Sequence, residues 1–160
     1  MLEQYDEHRL GNSVAVAARI IYRLSKLVPD NMDRLESDWI WEDIPMTAVQ
    51  DILRSLGITR CYKGFKHTEY AICLAIQDES RLEAITKEIY METAEHFECN
   101  WTAVERNIRT AVSRAWSVNP DLLCQMAGYP LESEPTSSQF IEIISSYIIR
   151  SYRPQPLILP

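Results

Sequence analysis

Residues 91–118 constrain the fold most, because only four residues separate two helical segments there. The first segment runs from Met91 to Phe97, and a polar break over 98–101 follows it. The second segment, Thr102 to Val118, reads TAVERNIRTAVSRAWSV. A short helix, a tight turn and a longer helix form the layout of a helix-turn-helix, whose second helix can lie in the DNA major groove. We therefore predict a helix-turn-helix over these residues.

Apolar side chains recur along the second segment with the period of an α-helix. At spacings of four, three and four residues they share one face, which should pack on the core: Val104, Ile108, Ala111 and Ala115. The residues predicted for the opposite face are Thr102, Ala103, Arg106, Arg109, Thr110 and Ser113.

The start of the second segment suits a helix N-terminus. Asn100 or Thr102 can act as the N-cap and accept a hydrogen bond from a backbone N–H. Thr102 also fits a capping box with Glu105, three residues later. The sequence therefore leaves two candidate caps.

Two arginines one turn apart, Arg106 and Arg109, give the outer face its chemistry. Arginine can grip O6 and N7 of guanine with two hydrogen bonds, and nearby hydroxyls can bond phosphates or base edges. The same pattern also suits an ordinary solvated helix face, since such motifs arise by chance. The pattern thus indicates a DNA-reading helix, with a solvated face as its alternative.

The composition favours an all-α fold. The 160 residues include only 4 glycines and 8 prolines, and no run of strand length alternates apolar and polar residues. Helix-period segments are separated by Gly57, Gly64 and Gly128. We expect one compact multi-helix domain that contains the helix-turn-helix, with an extra N-terminal helix.

The sequence carries no signal for a membrane or an export route. No stretch approaches the ~20 apolar residues of a membrane span, and the acidic start MLEQYDEHRL argues against a signal peptide. We therefore expect a cytoplasmic protein with no membrane partner.

Neither a metal site nor a catalytic site is expected. The four cysteines include no C-x-x-C pair, and His96 with Cys99 offers only two close ligands, so we expect no metal and no cofactor. Glycine-rich phosphate loops, G-x-S-x-G and H-E-x-x-H are missing. Asp78 and Glu79 lie at a predicted helix end, where capping is the simpler role. We predict that the protein is not an enzyme.

Three parts are predicted along the chain: an N-terminal helix and acidic linker over 1–45, the helix-turn-helix domain over 46–152 and an extended tail over 153–160. The first helix carries an apolar stripe that either packs on the domain or serves pairing or docking. In the linker, Trp39 and Trp41 would cover the neighbouring domain or anchor a partner.

Turn and cap signals set the predicted helix boundaries inside the domain. The first predicted helix is capped by Thr47 and stopped by Gly57, the second covers His67–Gln77, and the third starts at Ser80. After helix 102–118, Asn119 and Pro120 break the chain, and a short helix covers Asp121–Met126. The last predicted helix starts at Ser138.

Short motifs between Ile52 and Arg150 carry a family resemblance. In order they are LGI (56–58), KG (63–64), AI (71–72), ITK.IY (85–90), VER.IR (104–109), AW (115–116), GY (128–129) and PT.S.FI (135–141). With these motifs in this order, the chain resembles the DNA-binding effector domain of the sporulation-initiation response regulators, the stage-zero sporulation protein A family.

The resemblance implies a six-helix effector domain that binds double-stranded promoter DNA sequence-specifically and regulates transcription. It also implies contact with the sigma subunit of RNA polymerase. By position, the groove-reading residues of the family fall on Thr102, Glu105, Arg106, Arg109 and Thr110.

The chain departs from the family within the predicted helix 102–118 and upstream of the resemblance. Ala103 stands where the family has an arginine, and Thr110 stands where it has a histidine, so two donors are lost and the DNA target should differ or bind more weakly. Only about 45 residues precede the resemblance, too few for a doubly wound receiver domain. We therefore expect no phosphorylation control of the usual kind within this chain.

The net charge of −7 is unusual for a DNA-binding protein. Residues 101–118 are net positive, with one acidic and three basic residues, while 1–45, 46–100 and 119–160 are each net negative. Glu132 and Glu134 lie where the family commonly has lysines. Phosphate contacts would fall to Lys63, Lys66, Arg81 and Lys87. We expect weak, salt-sensitive binding that improves if the chain forms a homodimer.

Two functions fit these features. The first is a transcriptional regulator that reads the major groove through helix 102–118. The alternative is a non-enzymatic protein-interaction module of the same fold, with little DNA affinity, that binds another regulator or an RNA polymerase subunit. The VERNIR segment favours the first function, and the acidic surface favours the second.

Overall fold

The computed structural model describes residues 44–152, and these residues form helices joined by short turns. In chain order the helices are α1 (Met46–Ser55), α2 (Gly64–Gln77), a 3₁₀ segment (Glu79–Ala84), a π-helical turn (Thr86–Tyr90), α3 (Met91–His96), α4 (Trp101–Val118), α5 (Pro120–Ala127) and α6 (Ser137–Tyr152). No strand occurs among residues 44–152, so the all-α prediction is confirmed for this part of the chain.

Helix α2 is central to the core because it packs against both α4 and α6. The fully buried side chains of these three helices include Ile72 of α2, Ile108 of α4, and Phe140 and Ile144 of α6. Each side chain of this size contributes about 1.5–3 kcal/mol when it is removed from water. The core therefore holds α4 along the face that the sequence predicted to be buried.

Helix α1 ends at Ser55 and is stopped by Gly57, as predicted. Gly57 adopts a φ of 77°. Its N–H donates to the Arg54 carbonyl at 2.9 Å, and the Ile58 N–H donates to the Leu53 carbonyl at 2.8 Å. This pair of hydrogen bonds is a Schellman motif, which turns the chain sharply at the end of a helix and prefers glycine at the left-handed position.

The predicted cap of α1 is wrong. The helix begins at Met46, Pro45 is the N-cap, and no side chain caps the helix. Pro45 has a φ of −67° and a ψ of 136°, and its carbonyl accepts from the Ala48 N–H at 2.8 Å. The extended ψ makes Pro45 the last residue before the helix, so Thr47 already lies inside the first turn.

Asn119 and Pro120 start α5, whereas the sequence analysis treated them only as a break. The Asn119 Oδ1 accepts a hydrogen bond from the Leu122 N–H at 3.1 Å. Pro120 is the first helical residue, where its missing N–H costs nothing because that N–H has no helical partner. The same chemistry appears at Asp78, which caps the 3₁₀ segment by accepting from the Ser80 N–H at 3.0 Å.

Several predictions concern residues outside 44–152. They are the N-terminal helix, the acidic linker with Trp39 and Trp41, and the extended tail over 153–160. Across the part of the chain that is described, no helix has the length and apolarity needed to cross a membrane.

Candidate nucleic-acid interface

The turn between α3 and α4 is built by the backbone, without a glycine. The Cys99 N–H donates to the Ala94 carbonyl at 2.9 Å, and the Glu98 N–H donates to the Glu95 carbonyl at 3.2 Å. This is again a Schellman motif, with Glu98 in the left-handed position at a φ of 52°. The motif ends α3 and redirects the chain into α4 within four residues, which gives the predicted helix-turn-helix its tight turn.

Asn100, one of the two candidate caps, is the N-cap of α4. Its Oδ1 accepts from the Thr102 N–H at 3.1 Å. The capping box of Thr102 and Glu105 is wrong, because α4 begins at Trp101 and Thr102 lies inside the first turn. The Glu105 carboxylate instead accepts from Arg109, one turn further along the helix.

The two predicted faces of α4 are present. The side chains predicted to face the core are fully buried, and Val112 joins them: Val104, Ile108, Ala111 and Ala115. Of the outward residues, Ala103 is half-buried and the others are exposed: Thr102, Arg106, Arg109, Thr110 and Ser113. One face of α4 is therefore buried in the core, and the two arginines lie on the opposite, solvent-exposed face.

Arg109 is not isolated, because its Nη2 lies 2.8 Å from the Glu105 Oε2. The Arg109 side chain remains 62% exposed and the Glu105 side chain 29% exposed. An i,i+4 pair in contact with water is worth about 0.3–0.5 kcal/mol, so a phosphate or a base edge can displace this carboxylate. Arg106 is exposed, and no carboxylate among residues 44–152 forms an ion pair with it.

The hydroxyl groups of the outer face differ in availability. The Thr110 Oγ1 donates to the Arg106 carbonyl at 3.0 Å and keeps lone pairs that can accept. The Ser113 Oγ donates to the Glu134 Oε1 at 2.5 Å. Glu134 thus brings a negative charge to the C-terminal part of the face, and the first three turns of α4 are better suited to an anionic ligand.

Of the four residues expected to contact phosphates, Lys87 is exposed whereas Arg81 is half-buried. Lys87 is exposed in the π-helical turn that precedes α3. Arg81 is half-buried and donates to the Glu88 carbonyl at 3.1 Å. It also forms an ion pair with Glu92. The charge of Arg81 is therefore already matched by a carboxylate, and this residue ties the 3₁₀ segment to α3.

Helix α2 holds α4 through contacts that the sequence did not reveal. A Cβ on Gly64 would lie 2.5 Å from the Asn107 carbonyl oxygen, so only glycine allows the two helices to approach this closely. The Asn107 side-chain amide donates to His67 Nδ1 at 3.1 Å. Helix α2 begins at Gly64, three residues before the start predicted near His67.

Aromatic rings join α2 to the turn. The His67 and Phe97 ring centroids are 4.8 Å apart, and the Tyr70 ring stacks on His96 at 4.1 Å. Burial lowers the pKa of His67, since a charged imidazolium is disfavoured away from water. A neutral ring at His67 is the form that can accept the hydrogen bond from Asn107.

Trp101 is a further residue that the sequence analysis missed. It is the first residue of α4, whereas the sequence placed it in the turn. Its side chain is 41% exposed. The N-terminal residues of a recognition helix are those that approach base edges. The large ring lies at the N-terminal end of α4.

The comparison with known families agrees with this geometry. The family described as "Sporulation initiation factor Spo0A C terminal" matches residues 49–148, more than half of the chain. The chain belongs to this family. The match starts in α1 and ends in α6, so it spans the helix-turn-helix and all the helices that support it. The resemblance inferred from the short motifs is confirmed.

Membership in the Spo0A C-terminal family gives the domain its general class. The family comprises DNA-binding effector domains of sporulation regulators, and it is a family of regulatory domains and not of enzymes. In this chain, α3, the turn and α4 have the layout of a helix-turn-helix, and Arg106 and Arg109 are exposed on α4.

Proposed function

We propose that this protein is a sequence-specific DNA-binding transcriptional regulator that reads the major groove with α4. One observation carries the proposal: Arg106 and Arg109 are exposed one turn apart on the face opposite a fully buried seam. A recognition helix needs this arrangement, because its inner face must hold it on the domain while its outer face enters the groove.

Each site residue has a role that its chemistry allows. Arg106 and Arg109 would grip guanine, Thr102 and Thr110 would bond phosphates or base edges, and Glu105 would accept from the N4 amino group of cytosine. Lys87 would contact a phosphate. With Ala103 and Thr110 in place of an arginine and a histidine, we propose that this chain prefers a different target from other family members.

The remaining partners are part of the proposal. As a regulator of promoters, the protein would act in the cytoplasm and contact the sigma subunit of RNA polymerase. Residues 1–45 would form a separate N-terminal part whose apolar helix pairs two copies or docks on the effector domain. Residues 46–152 would form that effector domain, followed by a tail over 153–160. Pairing would strengthen binding because two domains can engage two half-sites at once.

A second candidate function is a protein-interaction module of the same fold. Two carboxylates near the outer face of α4 favour this function. Glu105 pairs with Arg109, and Glu134, from the loop before α6, contacts Ser113 of α4. Carboxylates on the reading face repel phosphates. If DNA affinity has been lost, another regulator or an RNA polymerase subunit would be the partner of this face.

Selection followed by titration distinguishes the two functions. The full chain is used to enrich duplexes from a random pool, and the enriched duplex is titrated by fluorescence anisotropy against an unrelated duplex. We expect enrichment of a common site and loss of that preference in the double variant Arg106→Ala/Arg109→Ala, at ~1–3 kcal/mol per base-contacting arginine. Failure to enrich any duplex at low salt would favour the interaction module.

A further inference from the structure

Within residues 44–152, the loop between α1 and α2 is the most basic stretch outside α4. Residues 57–67, which include this loop and the first turn of α2, contain three basic residues and no acidic residue: Arg60, Lys63 and Lys66. All three are exposed. In a chain with a net charge of −7, such a concentration of unmatched positive charge marks a surface suited to an anion.

This loop lies along one flank of α4. At its far end, Gly64 contacts the backbone of Asn107, the residue that follows Arg106 in the chain. At its near end, the Arg114 Nε lies 3.4 Å from the Gly57 carbonyl oxygen. The Arg114 guanidinium also lies 5.9 Å from the Tyr62 ring centroid. Asn107 and Arg114 are separated by roughly 10 Å along the helix axis, so the loop borders about two turns of α4.

The positive charges of this flank have no acidic partner within residues 44–152. The ion pairs of that part involve Arg54, Arg81 and Arg109. Arg60 donates to Gln50, a neutral side chain, at 3.3 Å. Arg114 is exposed and contributes a fourth cation from α4 itself. These four side chains can therefore meet a ligand without first breaking an ion pair in the described domain.

We infer that Arg60, Lys63, Lys66 and Arg114 form a basic edge that binds the sugar-phosphate backbone bordering the groove read by α4. This inference rests on the proposed function. The two strands of a duplex flank the major groove, so a helix lying in the groove has phosphates on both sides. The basic edge lies on one of those sides. It recognises charge and spacing and not base identity, and it supplies affinity that the acidic remainder of the chain lacks.

The basic edge is tested by the salt dependence of binding. The full chain and the triple variant Arg60→Gln/Lys63→Gln/Lys66→Gln are titrated with a fluorescein-labelled duplex of random sequence at several salt concentrations. Each phosphate contact that is lost should reduce the slope of log K against log salt by about 0.9. We expect a flatter slope and an equal fold loss on the enriched and random duplexes. Arg114→Gln is measured separately, because Arg114 also contacts the loop.

A control at a cation that already has an acidic partner tests whether the loss of any positive charge has the same effect. Arg54→Gln removes a cation that is already paired with Asp51 at 2.9 Å, and its slope should equal that of the wild type. Thermal melts confirm that each variant is folded. If the wild type binds and the triple variant keeps both its slope and its affinity, the basic edge is wrong while the proposed function stands. If the wild type binds no duplex, both fail.

Discussion

Gly64 of α2 meets the backbone of Asn107 in α4 so closely that a Cβ on Gly64 would lie 2.5 Å from the Asn107 carbonyl oxygen. One turn further along α2, His67 accepts from the Asn107 side chain at 3.1 Å. Two contacts from α2, along one flank of α4, therefore fix α4 at its middle. The side chains that face outward from α4 need not hold the helix in place, and they are available to a ligand.

Replacing Gly64 with alanine should destabilise the protein. Alanine favours a helix by about 1 kcal/mol over glycine, but the added methyl group would overlap the Asn107 carbonyl, and overpacking costs about 1–3 kcal/mol. We expect Gly64→Ala to lower the urea midpoint. Lys63→Ala, at the exposed neighbouring position, is the control and should change it little. An increased midpoint for Gly64→Ala would show that the close contact is absent.

Glycine at position 98 should stabilise the helix-turn-helix. Glu98 has a φ of 52°, and the left-handed conformation costs a residue with a Cβ about 1–2 kcal/mol. Glycine adopts it freely but loses more chain entropy on folding, so we expect a net gain of about 0.5–1 kcal/mol for Glu98→Gly, measured as a higher melting temperature. Glu98→Ala removes the charge and keeps the strain. Equal melting temperatures for the two variants would contradict the argument.

The stability of the domain should fall as the pH drops through the range in which histidine titrates. Burial lowers the pKa of His67 from its ordinary value of 6.5. The stability contributed by the neutral ring is therefore fully present above about pH 6.5 and is lost as the pH falls through the lower, folded pKa. We expect the urea midpoint to decrease between about pH 7.5 and about pH 5.5, where carboxylates stay ionised.

The variant His67→Gln identifies the source of this pH dependence. Glutamine can still accept from Asn107 but does not titrate, so the decrease should be smaller in His67→Gln. His96→Gln is the control, because His96 is exposed on α3, and this variant should retain the component due to His67. A decrease of the same size in wild type and His67→Gln would remove His67 from the explanation.

Neutralising Glu105 should strengthen binding to DNA of random sequence. Its carboxylate holds Arg109 at 2.8 Å, and an i,i+4 pair in contact with water is worth about 0.3–0.5 kcal/mol. We expect Glu105→Gln to raise the affinity roughly two- to fivefold, because Arg109 is released and a negative charge leaves the reading face. Glu83→Gln makes the same charge change in the 3₁₀ segment. An equal rise in both variants would indicate a net-charge effect alone.

Helical periodicity was sufficient to predict the two faces of α4. Val104, Ile108 and Ala115 are buried because their spacing places them on one side of the helix, whatever the rest of the fold contains. The stop of α1 at Gly57 was equally local, since glycine is the residue that tolerates a left-handed turn. Such features depend on a few neighbouring residues and can therefore be predicted from the sequence.

Contacts between distant residues could not be predicted. Gly64 approaches Asn107, which lies far away in the chain, and no local pattern links the two. Glu98 takes a conformation that its residue type disfavours, because the hydrogen bonds of Cys99 and Glu98 to α3 impose it. Glu105 has two possible partners nearby on the helix, Thr102 and Arg109, and the sequence does not decide between them. In the structure it pairs with Arg109 and forms no capping box with Thr102.

The most direct test of the account is a double-mutant cycle between an arginine of α4 and a guanine of the enriched duplex. Each guanine is replaced in turn by 7-deazaguanine, which lacks the N7 acceptor, and binding is measured for wild type, Arg106→Ala and Arg109→Ala. A bidentate contact is worth about 1–3 kcal/mol of binding free energy. At one guanine, the replacement should therefore weaken binding strongly for the wild type but only slightly for the variant that lacks the contacting arginine. Additive losses at every guanine, for both arginines, would contradict reading of the major groove by these side chains.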